Sequence, residues 1–78
     1  MIFRLTFTGK EIGFLDMDAE RFDVTQITDK ARRKALEELI GGYFRDGIRD
    51  GSEPLFPDDP RFILELAVRL HEGGYGIR

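Results

Sequence analysis

The sequence predicts an α+β fold: a three-stranded antiparallel sheet followed by two α-helices packed on one of its faces. Three observations carry this. Residues 2–8 alternate apolar and polar side chains with the period of a strand. From residue 28 onward the apolar residues recur at +3, +4, +7 and +8, the stripe of an amphipathic helix. The strand-like and helix-like stretches are segregated along the chain, which favours an antiparallel sheet with its helices on one side. Seventy-eight residues correspond to a single domain, 1–78.

Each element has its own local reason. In Ile2-Phe3-Arg4-Leu5-Thr6-Phe7-Thr8, Phe3, Leu5 and Phe7 share one face. Gly9-Lys10 marks a turn, and Glu11 to Met17 returns as a second strand, with Ile12 and Phe14 on one side and Leu15 and Met17 on the other. Phe22 to Ile27 is rich enough in β-formers to make a third strand, so residues 2–27 read as a hairpin plus one strand. Thr28 can cap a first helix over 28–46, with Asp29 in its first turn near the positive end of the dipole. Leu36, Leu39, Ile40, Tyr43 and Phe44 form its stripe, and Gly47 stops it. Residues 47–59, "GIRDGSEPLFPDD", read as an acidic loop. Asp59-Pro60 opens a second helix over 60–72, with Asp as cap and Pro at the first helical position. Gly73-Gly74 ends it, leaving 73–78 as a tail or a short strand.

A chain this short buries only roughly 60% of its unfolded surface, so a metal, a disulfide or a second subunit is often needed. It has no Cys and one His, which removes disulfides and makes a zinc site improbable on composition alone. Association with another chain is the stabiliser left open. No apolar run approaches the roughly 18 residues of a membrane span, and the Met1-Ile2-Phe3-Arg4 start lacks a signal peptide's pattern. The expectation is therefore a cytoplasmic protein without membrane contact.

The net charge of −3 is unevenly spread. Residues 11–29 hold six acids and one base, 30–34 hold four bases, and 46–59 hold five acids and one base. Lys30, Arg32, Arg33 and Lys34 are the only candidates for a nucleic-acid contact, and the acidic blocks on both sides repel phosphate. On a helical wheel, Arg33 precedes Glu37 by four residues and Lys34 precedes Glu38 by four, so i,i+4 pairing can neutralise part of the cluster. A solvated, ion-paired helix face is the plain reading. Gly41 and Gly42 fall off the apolar stripe, on the outer side, where they either break the helix or allow a close approach.

The second helix carries more apolar surface than one sheet face requires. Phe62, Ile63, Leu66, Ala67 and Leu70 make a core stripe, and Leu64, Val68 and His71 widen the arc to roughly 240°, against little more than 100° for a helix on one surface. Its second contact is with the first helix or with a partner. Leu64, Val68 and His71 are therefore candidate partner-binding residues, with Gly41 and Gly42. The acids Asp16, Asp18, Glu20 and Asp23 form a candidate patch for a basic partner.

Signals for chemistry are sparse. His71, near a helix C-terminus, is suited to a structural role there. Ser52 is the only Ser, and nothing in the sequence requires it to meet His71. Counting from Asp16, a calcium loop fails at Arg21 in its sixth position and Ile27 in its twelfth; a two-carboxylate magnesium site stays open beside the plainer acidic turn. Gly41-Gly42 and Gly73-Gly74 follow helical residues where a phosphate loop would precede them. The sequence points away from an enzyme, and no cofactor or metal is expected.

Three strands followed by a helix beginning "VTQITDKARRKALEEL" resemble the pattern of HicB-type antitoxins and double-stranded-RNA-binding domains. The likeness covers residues 2–44, on Val24-Thr25-Gln26 and Ala35-Leu36-Glu37-Glu38. Glu20-Arg21-Phe22 stands where HicB chains carry Pro-Gly-Cys, and the N-terminal helix of the RNA-binding family is absent, so no functional residue is transferred. What the resemblance implies is a β-β-β-α core in a small protein with a macromolecular partner. The expected function is that of an acidic, non-enzymatic interaction protein, antitoxin-like or of the phage-inhibitor type, acting on another protein and open to homodimer formation. The alternative is an RNA- or DNA-binding module using Lys30, Arg32, Arg33 and Lys34.

Overall fold

The computed structural model describes residues 1–78, except for the side chain of Asp50, one of the acids in 46–59. The strands are β1 (Ile2–Phe7), β2 (Lys10–Asp16), β3 (Arg21–Asp23), β4 (Ile48–Asp50), β5 (Glu53–Leu55) and β6 (Tyr75–Ile77). The helices are α1 (Lys30–Asp46) and α2 (Arg61–Glu72), with α1 following β3 and α2 following β5. The class is α+β with an antiparallel sheet, but that sheet has four strands in the order β3-β2-β1-β6, where the sequence suggested three. The fourth is the C-terminal segment. Gly74, at φ 89°, takes the left-handed conformation that turns the chain out of α2 and back along β1, where Leu5 meets Ile77 and Phe7 meets Tyr75.

The expected loop at 47–59 is also structured. Ile48 pairs with Leu55 and Asp50 with Glu53, making a hairpin around Gly51-Ser52, with Gly51 at φ 74°. Ile48 and Leu55 both point into the core, which anchors the hairpin. The third strand is shorter than expected. Beyond Asp23 the chain turns, the Ile27 N–H donating to the Val24 carbonyl at 3.1 Å, and Val24 and Ile27 enter the core from that turn. The cap of α1 is Asp29, not Thr28: its carboxylate accepts the N–H groups of Ala31 and Arg32 at 3.0 and 3.2 Å. At α2, Pro60 is the last residue before the helix, and the Asp59 carboxylate accepts the Arg61 N–H at 2.9 Å.

A single core lies between the sheet and the helices. Leu5 and Leu15 reach it from the sheet, Leu36 and Ile40 from α1, and Phe62, Leu66 and Leu70 from α2. Phe22, Phe44 and Phe62 link the three layers edge to face, with 5.6 Å between successive ring centroids. Such contacts are worth about 0.5–1.5 kcal/mol each beyond burial. The strict alternation expected for β2 does not hold. Its pairing with β1 shifts register between Leu5 and Thr6, so that Leu5 faces Gly13 while Thr6 faces Glu11. This bulge brings Ile12 to the same core as Leu15, although three positions separate them, and leaves Phe14 half-buried on the other face.

The close packing of β2 against β3 beside this bulge depends on Gly13. A Cβ there would collide with the backbone carbonyl of Asp23 on β3 and lie 3.2 Å from the Val24 Cα. Gly42 is the opposite case. Helix α1 runs unbroken through Gly41 and Gly42, and a Cβ at Gly42 would meet nothing within 4 Å. Gly13→Ala is expected to destabilise the protein by about 2–4 kcal/mol through overpacking against backbone. Gly42→Ala is expected to stabilise it by about 0.5–1 kcal/mol. Urea unfolding of the two variants beside the parent checks both signs; equal midpoints for all three would refute this account of the two glycines.

Candidate protein-docking surface

Helix α2 is clamped on three sides. Phe62, Leu66 and Leu70 face the core, Phe62 meets Phe44 of α1, and Arg69 donates to the Arg49 carbonyl of the β4–β5 hairpin at 3.0 Å. Its remaining arc carries Arg61, Leu64, Val68, His71 and Glu72, all exposed, with Leu64 at 67% and Val68 at 56% of their full accessibility. The sequence-based choice for the second contact of α2 was α1 or a partner. The structure adds the hairpin to α1 and still leaves Leu64 and Val68 in solvent.

Val68 and His71 line a groove of about 490 Å³ between α2 and β6, closed below by Tyr75, Gly76 and Ile77. β6 is an outer strand of the sheet. Its hydrogen-bonding phase follows from its neighbour. Arg4 and Arg78 exchange both backbone hydrogen bonds, at 3.1 and 2.9 Å, so by antiparallel alternation Gly76 also bonds toward β1. The N–H and C=O groups of Tyr75 and Ile77 therefore point away from the sheet. These three residues are not among the candidates the sequence suggests. The signal was Tyr75-Gly76-Ile77, two apolar residues alternating around Gly immediately after a helix-ending Gly pair.

The other sequence-derived candidates lie elsewhere. Gly41 does not face outward: a Cβ on it would touch the Phe22 ring at 3.7 Å, so it packs over β3, at the far edge of the sheet from β6. Asp16 ends β2, Asp18 and Glu20 lie in the β2–β3 connection, and Asp23 ends β3. Much of this acidity is used locally. Asp16 accepts the Ala19 N–H at 3.2 Å, and Asp18 pairs with the amino group of Met1. Asp23 accepts the Thr25 hydroxyl at 2.6 Å and the Thr25 N–H at 2.8 Å. Among the described residues, no group of three or more His, Cys, Asp and Glu side chains is placed to hold a metal ion. Ser52 sits in the β4–β5 turn and His71 in the last turn of α2, and no hydrogen bond joins them.

The basic cluster is divided. Arg32 lies over the Phe7 ring, 4.6 Å from its centroid, and Phe7 in turn packs on Tyr75 at 5.1 Å. Arg33 donates to the Ile27 carbonyl at 3.1 Å and pairs with Glu37 at 3.8 Å. The expected Lys34–Glu38 pair does not form among the described residues, and Lys30 and Lys34 project into solvent. Arg32, Phe7 and Tyr75 border an open crevice of about 610 Å³ beside the start of α1, larger than the α2/β6 groove but without a buried polar group aimed into it.

No helix among the described residues is long and apolar enough to cross a membrane. Comparison of the chain with protein-family models, with curated proteins and with solved structures yields no match.

Two carboxylates make stability depend on acid pH. The Thr25 hydroxyl, and then its N–H, hold the Asp23 carboxyl below its ordinary value of 3.8. The Arg61 guanidinium, and then its N–H, do the same for Asp59. A depressed folded-state pKa stabilises the native state fully above the unfolded value and loses that contribution as pH falls through the folded one. The parent is therefore expected to lose melting temperature below about pH 4, and Asp23→Asn with Asp59→Asn to flatten that decline. Thermal scans across that range check it; parallel curves would mean that neither carboxylate contributes.

Proposed function

We propose that this chain is a small, non-enzymatic interaction protein that binds and thereby inhibits or regulates another macromolecule, in the manner of an antitoxin or a phage-encoded inhibitor. The observation that carries the reading is the exposure of Leu64 and Val68 side by side on α2, next to an open strand edge. Large aliphatic side chains grouped on the surface of so small a domain favour a docking role. The acids of the β2–β3 connection supply charge for a basic partner. In such a division, charge raises the rate of encounter and apolar burial sets the rate of departure.

The competing use of Lys30, Arg32, Arg33 and Lys34 on nucleic acid is weakened by the commitments of Arg32 and Arg33 within the chain. That use predicts retention of short duplexes at low salt, falling steeply as salt rises.

The test compares the parent with Leu64→Asp/Val68→Ser as bait in a lysate of the native host, with circular dichroism to show that both are folded. The parent is expected to hold a protein that the double variant releases. Equal capture by both, or salt-sensitive duplex retention by the parent in a filter assay, would overturn the proposal.

A further inference from the structure

We infer that the α2/β6 surface pairs two copies of this chain about a two-fold axis, β6 against β6 and α2 against α2. The inference rests on the reading of the outer face of α2 as a protein-docking surface and names a second copy as what covers its β6 end, where Val68 and His71 lie.

Three features fit a second copy. The first is the hydrogen-bonding phase of β6. Tyr75 and Ile77 direct their N–H and C=O groups outward, with Gly76 midway between them. An antiparallel copy centred on Gly76 sets Tyr75 opposite Ile77 of the second copy, and Ile77 opposite its Tyr75. Every outward donor then meets an outward acceptor, and the sheet continues from four strands to eight without a gap.

The second is the contrast between the two outer strands. β3 places the charged Arg21 and Asp23 on either side of Phe22, the kind of edge that resists further pairing. β6 is Tyr75-Gly76-Ile77, with no charge and no proline.

The third is the place of the groove beside the strand. Val68 and His71 line it together with Gly76. The same two-fold axis runs the two α2 helices antiparallel on one face of the joined sheet, and it brings the Val68–His71 face of each helix toward that of the other. The acids of Asp16, Asp18 and Glu20 stay outside this seam in both copies, available to the macromolecular target.

Sedimentation equilibrium over a concentration series tests the pairing, together with amide exchange at Tyr75 and Ile77. The parent is expected to move from 9.0 kDa toward twice that mass as concentration rises, with both amides slowing in step. Leu64→Asp/Val68→Ser is expected to weaken the dimer by about a hundredfold. Ile77→Pro removes one outward donor while sparing the bonds of Gly76 and Arg78 to β1, and is expected to weaken the dimer without unfolding the monomer. A parent that stays monomeric at millimolar concentration overturns the pairing; if Leu64→Asp/Val68→Ser nonetheless loses a captured protein, the docking reading survives without it. A dimer whose mass and Tyr75 and Ile77 exchange are unchanged in both variants also overturns it.

Discussion

The edge-to-face contacts that run from Phe22 through Phe44 to Phe62 tie the sheet, α1 and α2 together in one line. Phe62 is wholly buried, so α2 cannot turn about its axis without withdrawing that ring from the core. Successive helical residues are about 100° apart, so fixing Phe62, Leu66 and Leu70 inward sends Leu64 and Val68 outward. Their exposure follows from the way the core is filled. The β4–β5 hairpin then covers the flank that Arg69 presents, leaving the β6 side uncovered.

Backbone devices place β6 where it lies. The tight turn at Gly73-Gly74 returns the chain directly beneath the end of α2, so strand edge and helix face adjoin. Across the sheet, the bulge at Leu5/Thr6 and the close approach of Asp23 to Gly13 draw β3 in tightly before the chain leaves for α1. The two outer strands thus differ in chemistry: one carries charged residues beside the acid-bearing connection, and the other is uncharged beside exposed aliphatics.

Most interactions of the acids and arginines are local: caps, turns and i,i+4 pairs on the surface. Exposed pairs of this kind contribute little to stability, typically below about 1 kcal/mol. Apolar packing holds the fold, and the remaining charge lies on the surface.

The apolar–polar alternation of residues 2–7 and the 3.6-residue stripes of α1 and α2 were legible in the sequence because local periodicity alone produces them. The surplus apolar arc on α2 was legible for the same reason, and it led to Leu64 and Val68. The β4–β5 hairpin was concealed by its short strands and by Pro54, although Gly51-Ser52 is a recognised two-residue turn signal. Whether Gly41-Gly42 breaks α1 was equally beyond local propensity, since the cost of two helical glycines is offset by packing at Leu36, Ile40 and Phe44 around them. Sequence by itself determined which segments are amphipathic and where charge concentrates. Only the tertiary structure decided that 75–77 is an outer strand, that Ile12 and Leu15 share a face, and that the α2 arc borders an open edge. Those outcomes depend on contacts between residues far apart in the chain, which local patterns do not encode.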